Sequence, residues 1–142
     1  MQRQILLHLR LPKMITAIMA GAALSVAGLM MQTLFRNPLA GPYILGVSSG
    51  ASLGVAVVTL GASLLTHSAL ISNASTASAA IIGSTLVLLL VMVLAKRVKS
   101  SVSLLIVGIM LGNIAGALVN VLQNFANPDA LKLSFVWTFG SL

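Results

Sequence analysis

Three long stretches of this chain carry no charged side chain: Met14 to Phe35, Asn37 to Ala95 and Ser100 to Pro128. No other feature limits the fold as much. A soluble domain covers its surface with charged residues, about 25% of the total. Here only 6% of 142 residues are charged, 58% are hydrophobic, and the mean hydropathy is +1.10. Crossing about 30 Å of hydrocarbon takes roughly 20 mostly apolar residues, so the first and third runs suit one crossing each. The middle run is too long for one crossing, and its centre, Thr66 to Ser78 ("THSALISNASTAS"), has the composition of a loop. The sequence therefore predicts an all-α, polytopic transmembrane helical bundle of about four helices: α1 near 13–35, α2 near 49–65, α3 near 79–95 and α4 near 102–125.

The charges agree with this division. Arg3, Arg10, Lys13, Arg36, Lys96, Arg97, Lys99 and Lys132 sit at the ends of apolar runs, as does the single acid, Asp129. Snorkelling and topology place basic residues there. The isoelectric point near 11.6 is thus a membrane signature. With no basic face interleaved with aromatics, it does not indicate nucleic acid. Cysteine is absent, which excludes disulfides and thiolate metal sites. His8 and His67 lack companions at metal-ligand spacing, so neither a metal nor a cofactor is expected. The basic N-terminus followed by "AGA", Ala20 to Ala22, resembles a signal peptide, but the run continues well past the usual 7–15 residue core. It reads as a true span.

Pro12 suits a first helical turn and marks the start of α1. "RNPLAGP" stops the helix, because Pro38 and Pro42 both oppose its continuation. Gly21, Ser25, Gly28 and Gln32 share one face of α1. In α2, Gly46, Gly50 and Gly54 recur every four residues, and in α4 so do Gly108, Gly112 and Gly116. Such rows of small residues let helices approach closely in lipid, which predicts a compact bundle. By contrast α3 contains "LVLLLVMVLA", bulky and nearly featureless, and ends at "KRVK". It is expected on the lipid-facing rim.

"GVSSG", Gly46 to Gly50, spells Gly-x-Ser-x-Gly, the pattern of a hydrolase nucleophile elbow. A serine nucleophile needs a base within reach and a partner to orient that base. If α2 runs from one interface to the other, Ser48 and His67 lie at its opposite ends, about 28 Å apart. The elbow also needs a preceding strand, where this chain has the proline-broken "NPLAGPYIL". The chain is therefore read as a non-enzyme. Ser48 and Ser49 are expected to cap α2, and Asp129 to cap a segment beginning at Ala130. "NAS" at Asn73 is a formal glycosylation acceptor that carries little weight in a polar loop.

Polar side chains inside a span usually face the bundle interior or a water path. Asn113, Asn120 and Asn124 form one stripe along about 16 Å of α4, with Gln123 nearer the glycine face. Two readings stand: amides that tie neighbouring helices together, or a lining that passes a bulky polar solute without holding it tightly. No acid or histidine lies inside a span, which argues against a proton-driven carrier.

Three segments together resemble the FecCD-type ABC importer permeases, which serve iron-siderophore, haem and vitamin B12 uptake. They are "LRLPKMITAIMAGAALSVAGLMMQTLFRNPLAGPYILGVSSGASLG", "AKRVKSSVSLLIVGIMLGNIAGAL" and "FVWTFGSL". The first is the most specific, carrying Gln32, Arg36, Asn37, Pro38, Leu39, Ala40, Pro42, Leu45, Gly46 and Gly50 in order. The resemblance implies a ten-helix permease in the bacterial cytoplasmic membrane. It would pair with a second permease subunit as a homodimer or close heterodimer, two ATP-binding subunits that hydrolyse ATP, and an extracytoplasmic substrate-binding protein. This chain resembles the N-terminal part, from the second helix to just past the fifth, without the first helix or the downstream ATPase-coupling segment. By resemblance, "RNPLA" and "KRVK" face the cytoplasm and α2 and α4 lie near the translocation path. Charge counting alone is tied at four basic residues on each side. The alternative is a small structural membrane protein that packs through its glycine seams and transports nothing.

Overall fold

A computed structural model describes residues 6–65, 73–98, 100–126 and 128–139, and all of its regular structure is helical. The chain divides into two units, residues 1–42 with the last two residues, and residues 43–140. Helices Leu6–Phe35, Ser75–Ala95 and Ser101–Asn124 are long and apolar enough to span a bilayer, and Val47–Gly61 is a shorter apolar helix.

In the first unit, α1 covers Leu11–Phe35 and follows directly on a π-helical turn, Leu6–Arg10. Pro12 occupies the first α turn as expected, yet helical winding begins before it. The end of α1 is sharp. Arg36 adopts the left-handed conformation at φ 49°, and the Arg36 and Asn37 N–H groups donate to the Thr33 and Gln32 carbonyls at 3.3 and 3.1 Å. This is a Schellman closure with arginine where glycine is usual. The Asn37 side chain then accepts from the Leu39 N–H at 2.9 Å, and the Asn37 carbonyl accepts from the Ala40 N–H at 3.1 Å. The "RNPLA" motif is thus a self-bonded turn with Leu39 89% exposed and Ala40 buried.

In the second unit, a 3₁₀ turn, Pro42–Leu45, leads through Gly46 into α2, Val47–Leu65. α3 covers Asn73–Ala95, α4 Ser101–Asn124, and a further helix, α5, Pro128–Phe139. The hub is α2, which packs against α3, α4 and α5. Its Val55, Ala56, Thr59 and Leu60 are almost wholly buried. Ala56 and Leu60 pack on Val119, Leu122 and Ala126, at the end of α4 and just beyond. Thr59 can be buried there because its hydroxyl donates to the Val55 carbonyl at 2.8 Å.

Four expectations are corrected. First, α3 begins at Asn73, inside the stretch read as a loop, of which residues 66–72 lie outside the described residues. Its hydroxyls bond back to the preceding turn, Ser78 to the Ser75 carbonyl at 2.9 Å and Thr85 to the Ile81 carbonyl at 2.7 Å. A polar composition therefore does not break the helix. Second, α3 is not simply a rim helix: Ala79, Gly83 and Val91 are buried, while Ile81, Leu86 and Val93 are exposed. Third, Gly46 rather than Ser48 or Ser49 precedes α2, and its carbonyl accepts from the Gly50 N–H at 2.9 Å. Fourth, α5 starts at Pro128, so Asp129 is its second residue and not its cap. Pro128 suits that first position because its missing N–H would have no helical partner.

Candidate functional site: a polar groove beside a glycine seam

The glycines of α2 serve two different neighbours. A Cβ added to Gly46 would lie 2.9 Å from the Gly112 Cα and 3.1 Å from the Gly108 carbonyl oxygen. One on Gly108 would lie 2.7 Å from the Ile44 carbonyl oxygen. The 3₁₀ turn and the start of α2 therefore rest directly on the backbone of α4. Gly46 also has φ +71°, a conformation that glycine alone adopts freely. One turn further on, Gly50 and Gly54 face α3, where added Cβ atoms would meet Gly83, Val87 and the Ala79 carbonyl. Between α2 and α3 runs a wholly apolar groove of about 290 Å³.

On the α4 side the seam opens. A Cβ on Gly116 would meet nothing within 4 Å. Here α2 and α4 are held together above by Gly46 on Gly112 and below by Ala56 and Leu60 on Val119 and Leu122. The space between them is a groove of about 310 Å³. Ser49 and Ser52 come from α2, Gly116, Val119, Asn120 and Gln123 from α4, and Phe135 and Thr138 from α5. The lining offers hydroxyls and amides and no charged group. The same edge of α5 is fixed by hydrogen bonds. Gln123 Nε2 donates to Ser134 Oγ at 3.3 Å, and Thr138 Oγ1 donates to the Ser134 carbonyl at 2.9 Å. These bonds allow Ser134 to be 4% exposed. Among the described residues, no buried side-chain nitrogen or oxygen lacks a partner.

All three asparagines of the amide stripe are exposed; Asn120 lines this groove, and Asn113 and Asn124 are not in its lining. At about 100° per residue Asn113 and Asn124 stay within about 40° of Asn120 on the helix, so they differ from it mainly in height, about 10 Å and 6 Å along α4. Gly21 and Gly28 of α1 have nothing within 4 Å of an added Cβ, and the Ser25 hydroxyl bonds to its own helix at the Gly21 carbonyl, 2.8 Å away. Gln32 is exposed.

Ser48 is exposed in the first turn of α2, preceded by a 3₁₀ turn, so the strand that a nucleophile elbow requires is not what precedes it. His67 lies outside the described residues. Among the described residues, no group of three or more histidine, cysteine or acidic residues could hold a metal.

Sequence reasoning missed Ser52, Thr138 and the role of Gln123 in the groove, and Gly83 in the packing. Ser49 and Ser52 do recur at i, i+3, but single hydroxyls on an apolar helix bond locally so often that the pattern is weak. Gly83 stands alone in its helix, with no repeat to mark it.

The fold and groove define the class: a multi-pass helical membrane protein whose helices close on glycine contacts beside an uncharged polar groove. The chain belongs to the FecCD transport family, which it matches over residues 1–142. It is 37% identical over 139 residues to the "Probable iron chelatin transport system permease protein" of Helicobacter pylori (strain ATCC 700392 / 26695), covering 97% of this chain and 40% of that protein. It is 35% identical to the vitamin B12 import system permease protein BtuC of Vibrio cholerae, covering 100% and 42%. It is 38% identical to the hemin transport system permease protein HmuU of Yersinia pestis, covering 96% and 40%. A solved metal-chelate type ABC transporter in an inward-facing conformation superposes with a TM-score of 0.85 at 29% identity, over 99% of this chain and 42% of that one. The chain thus spans about two fifths of the length of these relatives.

Proposed function

We propose that this chain forms part of the permease of an ABC importer that carries an iron chelate, haem or a cobalamin-type corrinoid across the bacterial cytoplasmic membrane. The observation that carries this reading is family membership over the whole chain, with relatives named for all three cargo types. ATP is hydrolysed on two partner subunits, a second permease subunit completes the pathway, and a substrate-binding protein delivers cargo from outside. The groove between α2, α4 and α5 fits a place on the path. Its amides and hydroxyls replace part of a solute's hydration shell, and the lack of charge keeps each contact weak enough to release.

The test uses the complete permease reconstituted with its ATPase and binding protein. Loaded binding protein is expected to stimulate ATP hydrolysis. Failure to stimulate favours a membrane protein that packs through its glycines without transport. Within that assembly, Asn120→Leu is expected to lower the uptake rate several-fold while the amount of assembled complex stays near wild type. Loss of assembled protein with no separate transport defect counts against a pathway role for Asn120.

A further inference from the structure

We propose that Gly116 sets the width of the α2–α4–α5 groove and thereby the largest solute the groove admits. Its effect on cargo rests on the importer reading above, whereas its effect on width does not.

Gly116 continues the row of Gly108 and Gly112, one turn further along the same face of α4. The first two are demanded by packing: any side chain at either meets the 3₁₀ turn or Gly46 at close range. At Gly116 an added Cβ meets nothing within 4 Å. Glycine is among the poorest residues for a helix interior, so neither packing nor helix formation accounts for it. What its missing side chain provides is room. It stands on the groove wall with Ser49 and Ser52 on the facing helix and Asn120 and Gln123 on its own. A side chain at 116 projects into that space without displacing backbone. The other walls are less adjustable, because Val119 packs on the buried Ala56 and Leu60 and Gln123 is committed to Ser134.

The experiment reads width with no cargo present. In the complete permease on an otherwise cysteine-free background, Ser52→Cys is reacted with a small methanethiosulfonate ethylammonium reagent and with bulky fluorescein maleimide. The two reagents are applied with Gly116 intact and with Gly116→Leu. The small reagent is expected to label both proteins at similar rates. The bulky one is expected to label the Gly116→Leu protein at least tenfold more slowly. Equal labelling by the bulky reagent in both backgrounds overturns the proposal. So does the absence of labelling by either reagent, which means that the groove is filled in the complete protein. Gly116→Ala serves as the fold control, and misfolding of this variant also overturns the proposal, since it shows a packed glycine. A permease that fails to transport but still discriminates by size at Ser52→Cys refutes the importer reading and leaves the width assignment standing.

Discussion

At the scale of single residues, glycines alike in sequence differ in what surrounds them. Gly46 is fixed twice, by a positive φ and by the α4 backbone 2.9 Å from where its Cβ would be. Left-handed strain costs about 1–3 kcal/mol, and overpacking a filled contact adds about 1–3 kcal/mol. Gly46→Ala is therefore expected to destabilise the protein by about 2–6 kcal/mol. Gly116→Ala is expected to be neutral or to gain up to about 1 kcal/mol from helix propensity. Thermal unfolding of the two purified variants checks the contrast, and a similar loss in both contradicts it. Gly21 and Gly28 have open space around them, so the α1 row and the α4 row, alike in sequence, are not alike in contact. The legible part of the site was therefore the type of residue. Which neighbour each one meets was not legible, because spacing along one helix says nothing about the helix opposite.

At the scale of elements, α2 is held by two faces made of different material. Towards α4 it presents Gly46, then Ser49 and Ser52, then Ala56 and Leu60; towards α3 it presents Gly50 and Gly54. The α3 contact depends on one glycine that the sequence did not single out. A Cβ on Gly83 would collide with the Gly50 carbonyl and lie 2.9 Å from the Gly54 Cα. Both of those obstacles are backbone and cannot rotate away. Gly83→Leu is expected to separate α2 from α3 and abolish monodisperse protein in size-exclusion chromatography. Ile81→Ala, two residues away at a side chain 66% exposed, is expected to leave the yield unchanged. If Gly83→Leu elutes as wild type, the close α2–α3 packing is refuted. The run "LVLLLVMVLA" concealed this face because most of its bulky residues fill the exposed side of α3, while among the described residues of this helix the buried ones are Ala79, Gly83 and Val91.

At the scale of the whole molecule, the open question is orientation in the bilayer. Four basic residues on each side leave the positive-inside rule without a majority. Leu39, 89% exposed in the self-bonded "RNPLA" turn, is a ready probe. In the complete permease, Leu39→Cys is expected to react with a membrane-impermeant maleimide in inside-out vesicles and not in intact spheroplasts. The reverse pattern places the "RNPLA" turn outside and inverts the expected topology.

Read without a structure, the chain already shows a helical membrane protein with breaks near Arg36 and after Ala95, and shows which residues are small enough for close contact. These follow from the cost of unpaired charge and backbone in hydrocarbon, which acts residue by residue and needs no partner. Tertiary packing set the rest: α3 starts at Asn73, Gly50 and Gly54 serve α3 while Gly46 serves α4, and Asn120 shares a groove with Ser49 and Ser52 while Asn113 and Asn124 lie beyond it along α4. Those outcomes depend on which helix lies opposite which, a property of the packed bundle that no single helix's periodicity contains.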